Sequence, residues 1–370
     1  MPGDSSHIAI HLHTLFNGGI ERVMVNLTRN FIERGLRVDL VLNELGYYVS
    51  QWEFPPEVRI VDLKAPKLLT RVPNLRHYLR QEQPTALLSA NHYANEAALL
   101  AKRLSGVSTR VVVSDHTALS LEAEHSPRLG LRHWSPYAVR FLYPWADGII
   151  TVSQGVAKDL AGLTGLPMER IQTIYNPLVT PDILEKAKEP VDHPWFAPGE
   201  LPVIIGVGRL EEQKDFPTLI RAFAQVRQVR PARLMILGQG SQLSRLNALV
   251  GELGLENDVA MLGFVQNPYA YIARAAVFTL SSAWEGFGNV LVESMVLGTP
   301  VVSTDCQSGP AEILDNGKYG ELVPVGDSEA IAQAILSVLS GKAKSVDPAW
   351  LKQFTLENIA QKYLAVLGIN

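Results

Sequence analysis

Cysteine is nearly absent from this chain. Cys306 is the one thiol among 370 residues. That rules out an intramolecular disulfide and any zinc site built from cysteines, and it suits a reducing compartment. Long apolar runs are missing too, since no stretch approaches the roughly 18–20 apolar residues that cross a bilayer. The opening residues, MPGDSSHIAIHLH, are polar and lack the apolar centre of a secretory signal. A cytoplasmic chain is expected, with peripheral membrane binding left open. Neither sign of charge dominates, with 33 Lys+Arg against 37 Asp+Glu and a net charge of -4, so bulk attraction to nucleic acid is not expected. Residues 1–180 carry 18 basic against 16 acidic residues and the remainder 15 against 21, which makes the first half the better suited to an anionic surface.

Several nucleotide-binding signatures are also incomplete. Three G-x-G turns occur, at Gly206/Gly208, Gly238/Gly240 and Gly286/Gly288. The dinucleotide fingerprint needs a further small residue three positions on. Glu211, Leu243 and Leu291 stand there instead, which argues against a nicotinamide dehydrogenase. The Gly-Lys-Ser/Thr of a P-loop is missing. No short-period repeat or low-complexity tract is visible.

What is present is alternation. His7 to His13 reads as a strand, followed by a turn ending in Asn17-Gly18-Gly19. Ile20, Val23, Met24, Leu27 and Phe31 then fall on one helical stripe that Gly35 stops, and Arg37 to Leu42 is the next strand. Such β-α-β units imply a parallel sheet with helices on both faces. Thr85–Ser89, Arg110–Ser114, Gly148–Val152 and Ile171–Ile174 continue the series, with Ser153 placed to cap a helix. Residues 179–200 read as a connector with a short helix. A second series follows, with strands predicted at Val203–Val207, Arg233–Leu237, Val259–Leu262, Val277–Ser281, Val301–Thr304 and Gly320–Val323. Helices are predicted at Phe216–Arg227, Ser241–Leu253, Pro268–Ala275 and Asn289–Val296. The expectation is two doubly wound α/β domains, whose ligands bind beyond the carboxyl ends of the strands and, in a two-domain chain, in the cleft between domains.

Two glycine turns stand in a context that suits an anion. Arg209 and Lys214 lie on the loop after one predicted strand, where two cations suit a diphosphate. Gly286-Phe287-Gly288-Asn289 opens a helix whose first N–H groups carry a partial positive charge. Gly18-Gly19 offers the same in the first half. A tight strand-to-helix turn and an exposed salt-bridged loop are the simpler readings of each feature taken alone. No two aspartates are separated by a single residue, so a D-x-D metal clamp is missing, and the two cations would offset charge on a leaving diphosphate.

With these motifs in place the chain resembles glycosyltransferase family 4, the retaining family of the GT-B fold, over nearly its whole length. The resemblance rests on EGFGNVLVESMVLGTPVV at 285–302, with two glutamates separated by seven intervening residues, on GRLEEQKDF at 208–216 and on NGGIERV at 17–23. SDHT at 114–117, VSQG at 152–155 and YNP at 175–177 match weaker positions. It implies two Rossmann-like domains facing each other across a cleft. The first would take residues 1–178 plus 355–370, because the final helix of that fold crosses back. The second, nucleotide-sugar-binding domain would take 179–354. Glu285 would bond donor-sugar hydroxyls and Glu293 the ribose. Arg209 and Lys214 would hold the diphosphate with backbone N–H groups around Gly286, Phe287, Gly288, Asn289 and Val290. Gly18 and Gly19 would approach the phosphates, His116 would lie beside the reacting sugar, and Phe264 and Val265 would contact the base. Glu293 as a plain helix-surface carboxylate and His116 as a structural residue are the alternatives.

Retention through front-face attack, without metal or cofactor, is the implied reaction. A UDP-sugar donor is favoured on the frequency of such donors and not by any residue. The acceptor, a glycan or lipid-linked group, is weakly marked. Residues 127–147 combine Arg128, Arg132 and Arg140 with Trp134, Tyr137, Phe141, Tyr143 and Trp145, which suits either a membrane interface or a helix whose aromatics pack inward. Arg71, Arg76, His77 and Arg80 form a second candidate surface. A sugar-nucleotide epimerase and a non-catalytic sugar-nucleotide-binding protein are the competing functions. A phosphorylase would need a pyridoxal-binding lysine that the sequence does not reveal.

Overall fold

The computed structural model describes residues 6–16, 18–46, 49, 52–125 and 131–369, without the side chains of residues 68 and 131–134. Asn17, Arg128 and the side chains of Arg132 and Trp134 therefore lie outside the described residues. The chain divides into two compact units, residues 1–178 with 353–370, and residues 179–352.

The first unit is built on strands β1 (His7–Leu12), β2 (Arg37–Leu42), β3 (Arg59–Asp62), β4 (Ala86–Ala90), β5 (Arg110–Asp115), β6 (Gly148–Thr151) and β7 (Ile171–Thr173). They form one parallel sheet in the order β3-β2-β1-β4-β5-β6-β7. Its central strands β1 and β4 are buried along their whole length because helices cover both faces. On one face Val23, Met24, Leu27 and Phe31 of helix Gly19–Glu33 pack with Ile359 and Tyr363 of the last helix, Leu356–Leu367. On the other, Leu75 and Leu79 pack with Leu99, Val139 and Leu160. Each large apolar side chain buried this way contributes about 1.5–3 kcal/mol. Arg110 Nε donates to the Val366 carbonyl at 2.7 Å, which ties the last helix to β5.

Strands β8 (Val203–Val207), β9 (Arg233–Leu237), β10 (Val259–Gly263), β11 (Val277–Leu280), β12 (Val301–Thr304) and β13 (Glu321–Val323) form the second sheet. It is also parallel, in the order β10-β9-β8-β11-β12-β13. In each sheet the winding direction reverses beside the first strand, between β1 and β4 and between β8 and β11. A crevice opens at that point beyond the carboxyl ends of the strands.

Some elements were not predicted. Strand β3 is a half-exposed edge of four residues. Helix Leu68–Glu82 contains Pro73 and three arginines, so little apolar periodicity survives. Helices His92–Ser105 and Ser328–Leu339 were also missed. The predicted connector carries helix Pro181–Ala187. Among the described residues no helix is long and apolar enough to cross a membrane.

Candidate active site

The second unit's predicted residues gather around its reversal point. Because β8 and β11 are neighbours, the loops leaving them run side by side and are laced together. Gln213 accepts from the Ala283 N–H at 2.8 Å, Gln213 Nε2 donates to the Trp284 carbonyl at 3.0 Å, and the Ser281 hydroxyl donates to the Lys214 carbonyl at 2.8 Å. Lys214 ends a short 3-10 turn, Glu212–Lys214. The next residue, Asp215, adopts φ +42° and caps helix Phe216–Val229 through the Thr218 N–H. This turn and its cap fix where the ammonium emerges.

The result is a pair that the motifs did not suggest. Lys214 Nζ is ion-paired with Glu285 Oε1, and both side chains are largely buried. The Ser282 hydroxyl donates to the same oxygen at 2.7 Å. The predicted diphosphate cation and the predicted sugar carboxylate are therefore one charge-assisted unit. Arg209 is exposed, and its Nη2 donates to Gln213 Oε1 at 3.2 Å. Cys306, on the loop after β12, lies close enough for the Glu285 charge to act on it. Burial first, and that charge second, push its thiol up to about 12. It is therefore a neutral wall and not a nucleophile.

Gly288 precedes helix Asn289–Val296 with φ +98°, in the left-handed region where a side chain is strained, and as glycine it contributes no side-chain cap. An anion can thus approach the first turn closely. Glu293, four residues into the helix, is buried and accepts from the Tyr269 hydroxyl at 3.2 Å. It is not a surface carboxylate. Gly286 and Phe287 are buried between the two glutamates, and Asn289 and Val290 are half-buried. Phe264 is exposed and Val265 half-buried on the loop after β10. The turn at Gly238/Gly240 has a structural reason. A side chain at Gly238 would collide with the Gly208 carbonyl, and Leu210 exchanges backbone hydrogen bonds with Gln239 and Gln242.

The remaining predicted residues belong to the first unit. Gly18 caps helix Gly19–Glu33, Gly19 is exposed at its first turn, and the Glu21 carboxylate lies against Gly18. His116 follows β5 and is buried, with Nε2 3.1 Å from Ser114 Oγ. Burial lowers its pKa to about 4, so the imidazole is neutral at physiological pH. Beside it, Asp115 accepts from the Tyr143 hydroxyl at 2.9 Å, and burial raises its carboxyl to about 7. Tyr143 is fully buried, which corrects its place in the aromatic surface. Tyr137, Phe141 and Trp145 are 60%, 71% and 44% exposed.

Gln213, Ser282 and Tyr269 escaped the sequence reading. A serine three residues before Glu285 was the only local signal, since Gln213 reaches the Trp284 carbonyl from 71 residues away and Tyr269 reaches Glu293 from 24.

Two doubly wound parallel units, one carrying a carboxylate-cation pair under a glycine turn at its reversal point, define the GT-B class of sugar-transferring enzymes. The chain belongs to glycosyltransferase family 4. Residues 17–180 match the Glycosyltransferase Family 4 model and residues 188–349 the Glycosyl transferases group 1 model. It is 31% identical over 342 residues to a Campylobacter jejuni N-acetylgalactosamine-N,N'-diacetylbacillosaminyl-diphospho-undecaprenol 4-alpha-N-acetylgalactosaminyltransferase, covering 90% of each chain. It is 28% identical to the lipopolysaccharide core biosynthesis glycosyltransferase LpsE of Rhizobium meliloti, covering 97% of this chain and 98% of that one. Among solved structures it resembles Anabaena HepE in complex with UDP and glucose, with TM-score 0.76, 21% identity and coverage of 98% and 99%. It also resembles the lipopolysaccharide outer core galactosyltransferase WaaB, with TM-score 0.74, 22% identity and the same coverage. The protein is a glycosyltransferase.

Proposed function

We propose that the protein transfers a sugar from a UDP-sugar to a glycan or lipid-linked acceptor in the building of a cell-surface glycoconjugate, with retention and without a metal. The observation that carries this reading is the buried Lys214–Glu285 pair at the β8/β11 reversal point. The acceptor oxygen attacks the anomeric carbon from the face the diphosphate leaves. The carbon–oxygen bond to phosphate breaks as the new glycosidic bond forms, and the leaving phosphate oxygen takes the acceptor proton. Lys214 and Arg209 offset the charge that develops on the diphosphate, aided by the helix start at Gly288-Asn289-Val290. Glu285 accepts from sugar hydroxyls and Glu293 from the ribose. Phe264 and Val265 meet the base. By resemblance, Gly18 and Gly19 serve the phosphates, and neutral His116 bonds the transferred sugar.

The UDP assignment draws support from the UDP complexes of HepE. The acceptor class draws support from the diphospho-undecaprenol and lipopolysaccharide substrates in the names of the relatives. Exposed Tyr137, Phe141 and Trp145, with Arg140 and with Arg103 over the Trp145 ring at 5.7 Å, form a surface of interfacial composition. Sedimentation with anionic vesicles tests it, and no binding removes the membrane part. The main test incubates the protein with UDP-, GDP- and ADP-sugars and follows nucleotide release. Release that depends on acceptor supports transfer. Release of a free isomerised sugar nucleotide would indicate an epimerase, and binding without turnover a non-catalytic receptor.

A further inference from the structure

The first unit has its own reversal point, between β1 and β4, and the groups there are not accounted for by the donor. His11 and Ser89 are register partners across it, and His11 Nδ1 lies 3.2 Å from Ser89 Oγ. His11 Nε2 lies 3.1 Å from Asn43 Oδ1, just past the end of β2. His11 is fully buried, and burial first lowers its pKa to about 4, so the ring carries one proton. An amide oxygen only accepts, so that proton sits on Nε2, and Nδ1 accepts from Ser89. In this arrangement the Asn43 oxygen faces the ring and its amide nitrogen is left unpaired by it.

That orientation leaves donors over. Asn43 is 0% exposed, yet its Nδ2 has no partner among the described residues. The same holds for the hydroxyl of Thr14, 4% exposed on the loop after β1, for His13 Nδ1, and for Arg71 Nε. Backbone bonds hold these segments side by side: the Glu44 N–H donates to the His13 carbonyl at 3.2 Å, and the Ala65 N–H donates to the Asn43 carbonyl at 2.6 Å, next to the Pro66 that anchors Arg71. The Arg71 charge accordingly lowers the pKa of both His11 and His13. Its Nη2 donates to the Pro66 carbonyl at 2.9 Å, which anchors the side chain and leaves Nε over. One acid is near. Glu44 Oε1 is 3.8 Å from His13 Nε2, and its side chain is 42% exposed, so solvent screens it.

Burying donors without acceptors costs free energy that a folded chain does not ordinarily leave unrecovered. A fixed amide N–H2, a hydroxyl and a guanidinium N–H beside a permanent cation match a ligand that only accepts. We propose that Asn43, Thr14 and Arg71 form a subsite in the first unit for an anionic group of the acceptor, a phosphate or a carboxylate. As an acceptor subsite it rests on the transfer reaction proposed above. As an anion site it stands on these residues alone.

The test titrates the full chain by calorimetry with inorganic pyrophosphate and, separately, with glucuronate, and measures UDP affinity on the same proteins. The variants are Asn43→Asp, which keeps the oxygen that His11 needs and replaces the amide nitrogen with a second oxygen, and Arg71→Ala. Both should weaken anion binding about tenfold or more, the scale of a lost charge-assisted hydrogen bond, and both should leave UDP affinity unchanged. The probe whose affinity falls more on these two substitutions identifies phosphate or carboxylate as the source. Arg71 is only half-buried, so Arg71→Ala decides alone if Asn43→Asp does not fold. Pyrophosphate and glucuronate titrations that neither substitution alters, or that show no binding to the natural chain, overturn the subsite. Absence of UDP binding counts against the donor reading instead.

Discussion

Lys214 and Arg209 look alike in sequence, two cations on one loop, but their surroundings separate them. Lys214 is largely buried against Glu285, whereas Arg209 is exposed with Gln213 as its neighbour. Lys214→Ala strands a buried carboxylate and should cost about 3 kcal/mol of stability, and adding Glu285→Gln should return most of that loss. Arg209→Ala should change stability by only about 0.5 kcal/mol or less. Both single variants should lower turnover by roughly 10²–10³ if their contacts strengthen in the transition state. Urea unfolding and steady-state kinetics on the same samples separate the effects, and near-normal turnover in Arg209→Ala removes it from the mechanism. Asp115 governs a pH dependence. Burial holds its carboxyl at about 7, and Glu96 nearby is held at about 7 by burial and then by the Asp115 charge. The folded chain keeps protons there that the unfolded chain releases near 3.8–4.5. Their stabilisation is complete below that range and is lost as pH rises through about 7. Asp115→Asn should therefore gain stability relative to the natural chain between about pH 5 and pH 8, on the order of a few kcal/mol. An equal difference at both pH values in urea titrations would refute this.

At the scale of elements, the strands β1, β2, β8, β9 and β12 were legible because central parallel strands are apolar on both faces. Edge strand β3 and the arginine-rich helix Leu68–Glu82 were not, since both are half wet and one contains proline. Caps were readable where a short polar side chain stands directly before an apolar stripe. Ser153 accepts from the Val156 N–H at 3.1 Å and starts helix Gln154–Thr164. Ser153→Ala should cost about 1 kcal/mol, seen as a lowered urea midpoint with an unchanged slope. The glutamate–glycine turn–glutamate element was legible as a motif, because both carboxylates and the turn lie within nine residues. Its partners Lys214 and Tyr269 were not legible as partners, because strand pairing and helix packing bring them in from other segments.

For the whole molecule, the last helix is the test case. Its residues Ile359, Tyr363 and Leu367 are fully or almost fully buried in the core of the first unit, although the chain reaches it from the second. Tyr363→Ala should cost about 3–5 kcal/mol, as for other large aromatic truncations. Removing residues 355–370 should expose the first unit to proteolysis while a fragment spanning about 179–352 survives. Limited digestion followed by mass spectrometry reads this directly, and equal digestion of both units would contradict the division.

The sequence by itself determined the alternation of strand and helix, the two parallel sheets and the donor motif, because each follows from periodicity and residue type over short spans. Tertiary structure packs the last helix into the first unit, where only the family resemblance, and no local pattern, had put it. It also decided that Lys214 neutralises Glu285, that Tyr143 is core and not surface, and that His11 meets Asn43 at a second crevice. Each of these joins residues tens or hundreds of positions apart. Strand order and register, which no local pattern encodes, bring them together.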